Sequence, residues 1–162
     1  IIFAIIGFII LLIYNICVLI IKSRIKKYLK KNDYENELAN QLDDNVEEKH
    51  YKDKIIITKD FLVDLKSQGG FAIFKFSDVK WVHIHNVKYY GVVTTSSSII
   101  VHLKDGKTNI NCVKIKGGTT EEFLEIFNKI CEKVPTDCLK GYTKENQEEF
   151  KEYKKEQKRS GN

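Results

Sequence analysis

The chain begins with a long apolar run and then changes to shorter periodic and alternating hydrophobic patterns. The run covers residues 1–21 and is interrupted only by Tyr14 and Asn15. As a helix it would be ~31 Å long at ~1.5 Å per residue, which matches the ~30 Å hydrocarbon core of a bilayer. The run lacks the basic start and small-residue cleavage site of a signal peptide, and a basic segment follows it. It therefore predicts a transmembrane anchor.

Six basic residues and no acidic residue lie directly after this run, between positions 22 and 31. The positive-inside rule puts this side in the cytoplasm, so we expect a single-pass protein of the cell membrane with a cytoplasmic C-terminal part. The cluster suffices to orient the anchor, and it is also a candidate site for anionic lipid of the bilayer. Its members are Lys22, Arg24, Lys26, Lys27, Lys30 and Lys31.

Residues 22–53 are strongly charged, with apolar residues at intervals of three and four positions from Ile25 to Val46. This spacing predicts a helical linker with a narrow apolar stripe. The stripe could pack on the folded domain or on a second copy of the chain, so self-association stays open.

Short β-branched and aromatic runs separated by turn residues occupy positions 54 to 114, a pattern typical of an antiparallel sheet. Asp105-Gly106 predicts a type I′ hairpin, which needs positive φ at both central residues. The small polar residues 94–98 predict a mobile loop or a sheet edge. The six predicted strands cover residues 54–58, 61–65, 71–76, 80–89, 98–103 and 108–114, and a short seventh could form at 91–94.

Two helices follow the strands. Thr119 and Glu122 form a capping-box pattern, and the apolar face that follows ends at Pro135. Thr143 could cap a last, largely polar helix over residues 144–158. Strands followed by one amphipathic helix predict an α+β domain. This is the order of a pleckstrin-homology-like (PH-like) antiparallel barrel capped by a helix, although other small α+β folds share it.

Four stretches of the chain combine an aspartate before a β-strand tryptophan, a late Asp-Gly hairpin and a Gly-Tyr ending. They are residues 57–63, 77–82, 99–107, and Pro135 with 141–145. In this order they resemble a family of bacterial membrane-anchored proteins with a PH-like domain and no assigned biochemical function, found often in Firmicutes. The resemblance implies a membrane anchor followed by a cytosolic PH-like domain, and it implies no catalytic residues.

These patterns together predict four segments of different character. They are an anchor at 1–21, a charged helical linker at 22–53, a PH-like domain at 54–135 and a helical extension at 136–162.

Charge and cysteine content narrow the function classes. Six of the 27 basic residues lie in the segment after the anchor, so residues 32–162 carry 21 basic residues against 22 acidic ones. A nucleic-acid-binding domain normally has a basic excess on its folded part, so we expect no nucleic-acid partner. The four cysteines form no C-x-x-C pair, and a cytosolic domain is kept reduced, so we expect small buried hydrophobes rather than disulfides.

His83 and His85 are the sharpest candidates for chemistry, because two-residue spacing on a strand places both on one face. With His102 or His50 as a third ligand they could bind a metal. No motif such as H-E-x-x-H accompanies them, and an exposed polar face explains the pair equally well. No P-loop or nucleophile-elbow pattern is present either. We therefore expect no metal, no cofactor and no enzyme activity.

Trp81 shares the face of the two histidines, and together with Tyr89 and Tyr90 it could form a partner-binding patch. Alternatively it packs on the sheet or under the last helix.

The sequence favours a membrane-tethered, non-catalytic binding or scaffolding module that recognises a protein partner or a lipid head group at the inner membrane face. The alternative is a structural or regulatory subunit of a membrane complex, which oligomerises through the anchor and the linker helix.

Overall fold

The computed structural model of the protein describes residues 26–52, 54–65 and 72–160, together with Leu19 and Ser23. The predicted anchor lies outside these ranges except for Leu19, and so do Lys22 and Arg24 of the basic cluster. Among the described residues, no helix has the length and apolar character needed to cross a membrane.

Over the residues that the structure describes, the protein has a mixed α+β structure with two four-stranded sheets. The first sheet is a meander in the order β1-β2-β3-β4. Its strands are β1 (Val46–His50), β2 (Ile55–Thr58), β3 (Phe61–Asp64) and β4 (Ala72–Lys75). The second sheet has the order β7-β6-β5-β8, in which β8 is parallel to β5 and the other pairs are antiparallel. Its strands are β5 (Val79–Tyr89), β6 (Val93–Leu103), β7 (Asn109–Lys116) and β8 (Leu139–Lys140).

The barrel expected from the sequence is replaced by these two separate sheets, since strand pairing among the described residues does not close into a ring. The strand number is also higher than the six or seven expected. The physical reason for the open arrangement is that, within the described ranges, the edge strands β1 and β4 of one sheet pair with neither edge strand of the other, β7 or β8. The additional strands are β1 and β8, which lie outside the region of the six expected strands.

The inner faces of both sheets and one helix enclose the main hydrophobic core. This helix, α2, covers Glu121–Lys133, and it follows α1 (Glu35–Asp44) in the chain. Phe123, Ile126 and Ile130 recur at three- and four-residue spacing and are completely buried against the strands. The helix ends before Pro135, as the sequence predicts. Its cap is Thr120, whose side chain accepts the Phe123 amide, rather than the predicted Thr119.

The N-terminal helices cover the outer face of the first sheet. Residues 26–31 are helical, and α1 spans Glu35–Asp44. Leu38 is buried against Phe61 and Val63 of β3. The other described stripe residues in this cluster, Leu29, Tyr34 and Leu42, are partly buried beside them. The described part of the apolar stripe therefore packs on the sheet of its own chain.

A polar cluster fixes these helices to the turn before β5. Tyr28 and Tyr34 both donate their phenol hydrogens to the Asp78 carboxylate, at 2.7 and 3.1 Å. Lys75 forms an ion pair with Glu37 at 2.6 Å. Burial, together with the adjacent carboxylate, raises the pKa of Tyr34 to about 12. The Asp78 carboxylate thus binds the linker helices.

The last helix, α3, spans Lys144–Arg159 and packs on the outer face of the second sheet. Thr143 caps it by accepting the Asn146 amide, as predicted. Phe150 is its buried anchor and contacts Trp81 of β5. The hydroxyl of Tyr153 donates to the Lys104 carbonyl at the β6–β7 turn. The helix thus covers only one part of this sheet face.

Three segments differ from the expected secondary structure. Residues 46–50, expected in the helical linker, form β1 because they pair with β2 and because Lys129 and Lys133 of α2 bind their carboxylates. Residues 94–98, expected as a mobile loop or an edge, belong to β6 because β5 pairs with them. The first sheet therefore begins before residue 54, and β8 extends the second sheet past residue 135.

The predicted hairpin between β6 and β7 has a different geometry from the type I′ turn. Gly106 has φ of +67°, but Asp105 is not among the residues with positive φ. The Asp105 carboxylate instead accepts the amides of Lys107 and Thr108 at 2.9 and 2.7 Å. The longer turn is therefore stabilised by a side-chain cap in addition to the glycine.

Candidate functional site

An open groove of about 590 Å³ lies on the outer face of the second sheet, beside α3. Antiparallel pairing aligns Trp81 with His102 and His83 with Ile100, so these four side chains form its floor. The groove exists because α3 covers the sheet at Phe150 and leaves the neighbouring strand positions open.

Trp81 is the centre of the floor and is only 5% exposed. Its ring stacks on His102, with centroids 4.7 Å apart and planes 15° apart, and on Tyr142, at 5.7 Å and 7°. The indole N–H donates to the Gly141 carbonyl at 2.9 Å. Tyr142 remains 60% exposed. The groove therefore offers an accessible aromatic ring held by a fixed one beneath it.

His83 and His102 lie side by side, with their Nε2 atoms 3.3 Å apart. The Nδ1 atom of His83 lies 3.3 Å from the Ile84 carbonyl, which can only accept a hydrogen bond. In the neutral pair, Nδ1 of His83 therefore carries the hydrogen, and its Nε2 accepts a hydrogen bond from His102. Burial lowers the pKa of both rings, and for His102 the charges of His83 and Lys154 lower it further, to about 4. Both rings are neutral at pH 7.

The wall of the groove is basic. Four lysines of α3 line it, and no carboxylate is among the described lining residues. Their spacing of three, four and seven positions places them on one flank of the helix. Lys155 is bonded to Glu152 at 2.7 Å, and the Lys154 ammonium lies 5.7 Å from the Phe150 ring centroid. The lysines are Lys151, Lys154, Lys155 and Lys158.

The structure brings together three of the five residues expected in a partner-binding patch. Trp81, His83 and His85 line the groove, and His85 is exposed at its outer part. Tyr89 and Tyr90 lie instead at the tip of the β5–β6 hairpin, 61% and 84% exposed. At ~3.3 Å per residue the tip is ~26 Å along β5 from Trp81.

The histidines considered as metal ligands do not all converge. His50 lies in β1 and contacts Glu48 at 3.1 Å, in the other sheet. Only His83 and His102 approach each other closely. In the described part of the chain, no set of three or more histidine, cysteine or acidic residues is placed to hold a metal ion. The cysteines there, Cys112, Cys131 and Cys138, are free thiols, and burial raises the pKa of each.

The described members of the basic cluster occupy the helical residues 26–31. Lys26, Lys27, Lys30 and Lys31 are all exposed. Their contact with lipid remains a prediction from the sequence.

The lysine stripe of α3 and the exposed ring of Tyr142 were missed by sequence reasoning. The spacing of the four lysines was visible in the sequence, but a charged face on a terminal helix usually only faces solvent.

Comparisons of the chain with protein-family models, with curated proteins and with solved structures found no match.

Proposed function

We propose that this chain is a membrane-tethered, non-catalytic binding module, and that its PH-like domain recognises a ligand at the inner face of the membrane. The ligand is a segment of a protein or a lipid head group. The observation that carries the proposal is the groove, which combines an exposed aromatic ring with a wall of four lysines. Concave sites with an apolar floor and a few polar groups are the usual form of ligand sites.

The PH-like assignment is supported by the chain order. Seven strands in two sheets precede the helix α2, and this helix packs on the core that both sheets share. The tether is supported by the apolar run and its basic flank. A tether raises the effective concentration of any ligand at the same membrane, so weak contacts in an open groove suffice.

Packing of the linker supports a tethered module over self-association through the apolar stripe. Leu38 is 6% exposed and contacts Phe61 and Val63 of the same chain. A surface that is already buried in this way has little area left for a second copy.

Photocrosslinking in native membranes tests the proposal with the full chain. A photoreactive amino acid replaces His85 in the groove, and a matched one replaces Glu125, which is exposed on α2. We expect a defined protein or lipid adduct from position 85 that position 125 does not give. Equal adduct patterns from both positions would contradict ligand binding at the groove.

A further inference from the structure

We propose that the groove binds an extended acidic peptide segment of a protein partner, in which acidic residues alternate with apolar or aromatic ones. This inference rests on the proposed binding function and specifies its ligand. The acidic side chains would face the lysines of α3, and the alternate side chains would contact Tyr142 and the sheet floor.

The first argument is the separation of charges around α3. At about 100° per residue, its side chains divide into three flanks. Phe150 and Tyr153 lie on the flank that packs on the sheet, and the four lysines lie on the flank next to the groove. The acidic side chains lie on the remaining flank, away from the groove. They are Glu145, Glu148, Glu149, Glu152 and Glu156.

This separation makes the groove wall positive although the helix as a whole is almost neutral. If lysines and glutamates were spread evenly around the helix, residues four positions apart would form ion pairs along its surface. Here Lys155 is paired with Glu152, while Lys151, Lys154 and Lys158 form no ion pair with any described residue. Their charges are available to an acidic ligand.

The second argument is the spacing of the lysines. Lys151 and Lys158 are ~10.5 Å apart along the helix axis, and Lys154 and Lys155 lie between them, ~4.5 and ~6 Å from Lys151. Alternate residues of an extended peptide are ~6.6 Å apart, which the flexible lysine side chains can follow. Three acidic residues at alternate positions therefore match the wall.

The third argument is the character of the floor. Alternate residues of an extended peptide point to opposite sides, so the residues between the acidic ones would reach the sheet. There Tyr142 and the half-buried Ile100 offer apolar surface, and His85 extends the floor toward the hairpin. A compact phosphate head group would need donors that converge on one point. The lysines are instead arranged in a row.

Binding to defined peptides tests this inference on the full chain in nanodiscs of neutral phosphatidylcholine. The probes are dye-labelled peptides of about ten residues that alternate Glu or Asp with Phe, Leu or Tyr. Matched peptides carry Lys in place of the acids, or Ser in place of the apolar residues. Anisotropy measures binding. Trp81, the only tryptophan in the chain, reports through its fluorescence whether the peptide occupies the groove.

We expect the acidic-apolar peptides to bind and to shift Trp81 fluorescence. Their affinity should fall at least tenfold between low and high salt, since salt screens charge contacts. Replacing Lys151, Lys154, Lys155 and Lys158 by Gln should weaken binding at least tenfold. Replacing four lysines outside the groove should change the peptide affinity less than twofold. Tyr142→Ala should lower this affinity severalfold. The control replacements are Lys49, Lys52, Lys54 and Lys59, all exposed and outside the groove.

Three results would overturn the inference. One is that the variant with four groove lysines replaced binds the acidic-apolar peptides as tightly as the control variant does. Another is that the basic peptides bind the protein as tightly as the acidic ones. The third is an absence of peptide binding while nanodiscs with anionic lipid alter Trp81 fluorescence, which would assign the groove to a lipid surface. In that last case, a lipid adduct from position 85 would support the proposed binding function and would contradict only the peptide ligand.

Discussion

The Asp64 carboxylate accepts the backbone N–H of Val113 at 2.7 Å and so joins the two sheets. Both residues are completely buried. Val113 has φ of +51°, a conformation that costs a β-branched residue energy, and it lies where the β6–β7 register shifts. The carboxylate from β3 therefore bonds a strained bulge in β7, and the strain is held in place by a bond from the other sheet.

Replacing Asp64 by Ala should destabilise the protein by about 2–4 kcal/mol, because it leaves a buried amide without its acceptor. Asp64→Asn keeps an acceptor oxygen and should cost less. Chemical denaturation of the full chain in detergent measures both. Asp137→Ala, at an exposed ion pair with Lys80, is the control, and we expect it to change stability much less because solvent screens this pair. Equal effects at positions 64 and 137 would contradict the role of the carboxylate.

Removing the Tyr28 hydroxyl should loosen the linker helix. Tyr28→Phe deletes the bond to Asp78 and the one from the Lys75 amide. We expect a loss of about 1–2 kcal/mol and faster hydrogen exchange in residues 26–31. Tyr90→Phe, at the exposed hairpin tip, is the matched control. Unchanged exchange in Tyr28→Phe would show that packing alone holds the helix.

Lowering the pH should destabilise the groove. The pKa of His102 is about 4 in the folded chain, against an ordinary value of 6.5, because burial disfavours the charged ring. The unfolded chain therefore binds more protons between these values, so stability is full above pH 6.5 and falls as the pH drops toward 4. Because the ring is partly exposed, we expect a loss of about 1–2 kcal/mol for the pair with His83.

Thermal unfolding at pH 7.5 and 5.5 measures this effect. His102→Gln should reduce the difference between the two melting temperatures. His85→Gln, at the exposed histidine of the neighbouring strand β5, should reduce this difference much less. If the melting-temperature difference between pH 7.5 and 5.5 were the same in His102→Gln as in His85→Gln, the pH dependence would belong to other groups.

The attachment of α3 should depend on Phe150. Phe150→Ala removes a ring that is 5% exposed and packs on Trp81, so we expect a loss of about 3–5 kcal/mol. Trp81 fluorescence should shift to longer wavelength as its ring becomes exposed, and protease cleavage should concentrate in residues 144–159. Leu124→Ala, 40% exposed on α2, is the control and should cost under about 1 kcal/mol.

Much of the secondary structure was predictable because local signals specify it. Thr143 caps α3, Pro135 follows the end of α2, and the alternation in residues 99–103 marks β6. Residues 46–50 were not predictable in the same way, because Val-Glu-Glu-Lys-His has no strand preference of its own. They form β1 only through pairing with β2 and the ion pairs to α2, which are tertiary contacts.

The groove was only partly predictable for a similar reason. Strand periodicity places Trp81, His83 and His85 on one face from sequence alone. The contact between His83 and His102 depends on the register of β5 and β6, and a shift of one residue would have turned His102 into the core. The position of α3 beside these residues is set by the Phe150 contact, which no local pattern specifies.

The Asp78 cluster has a mechanical consequence. The residue that holds the phenol groups of Tyr28 and Tyr34 directly precedes β5, and Trp81 follows it by three positions. The helix at residues 26–31 is therefore connected through Asp78 to the strand that forms the floor of the groove. We expect the orientation of this helix to influence the direction from which a ligand approaches the groove.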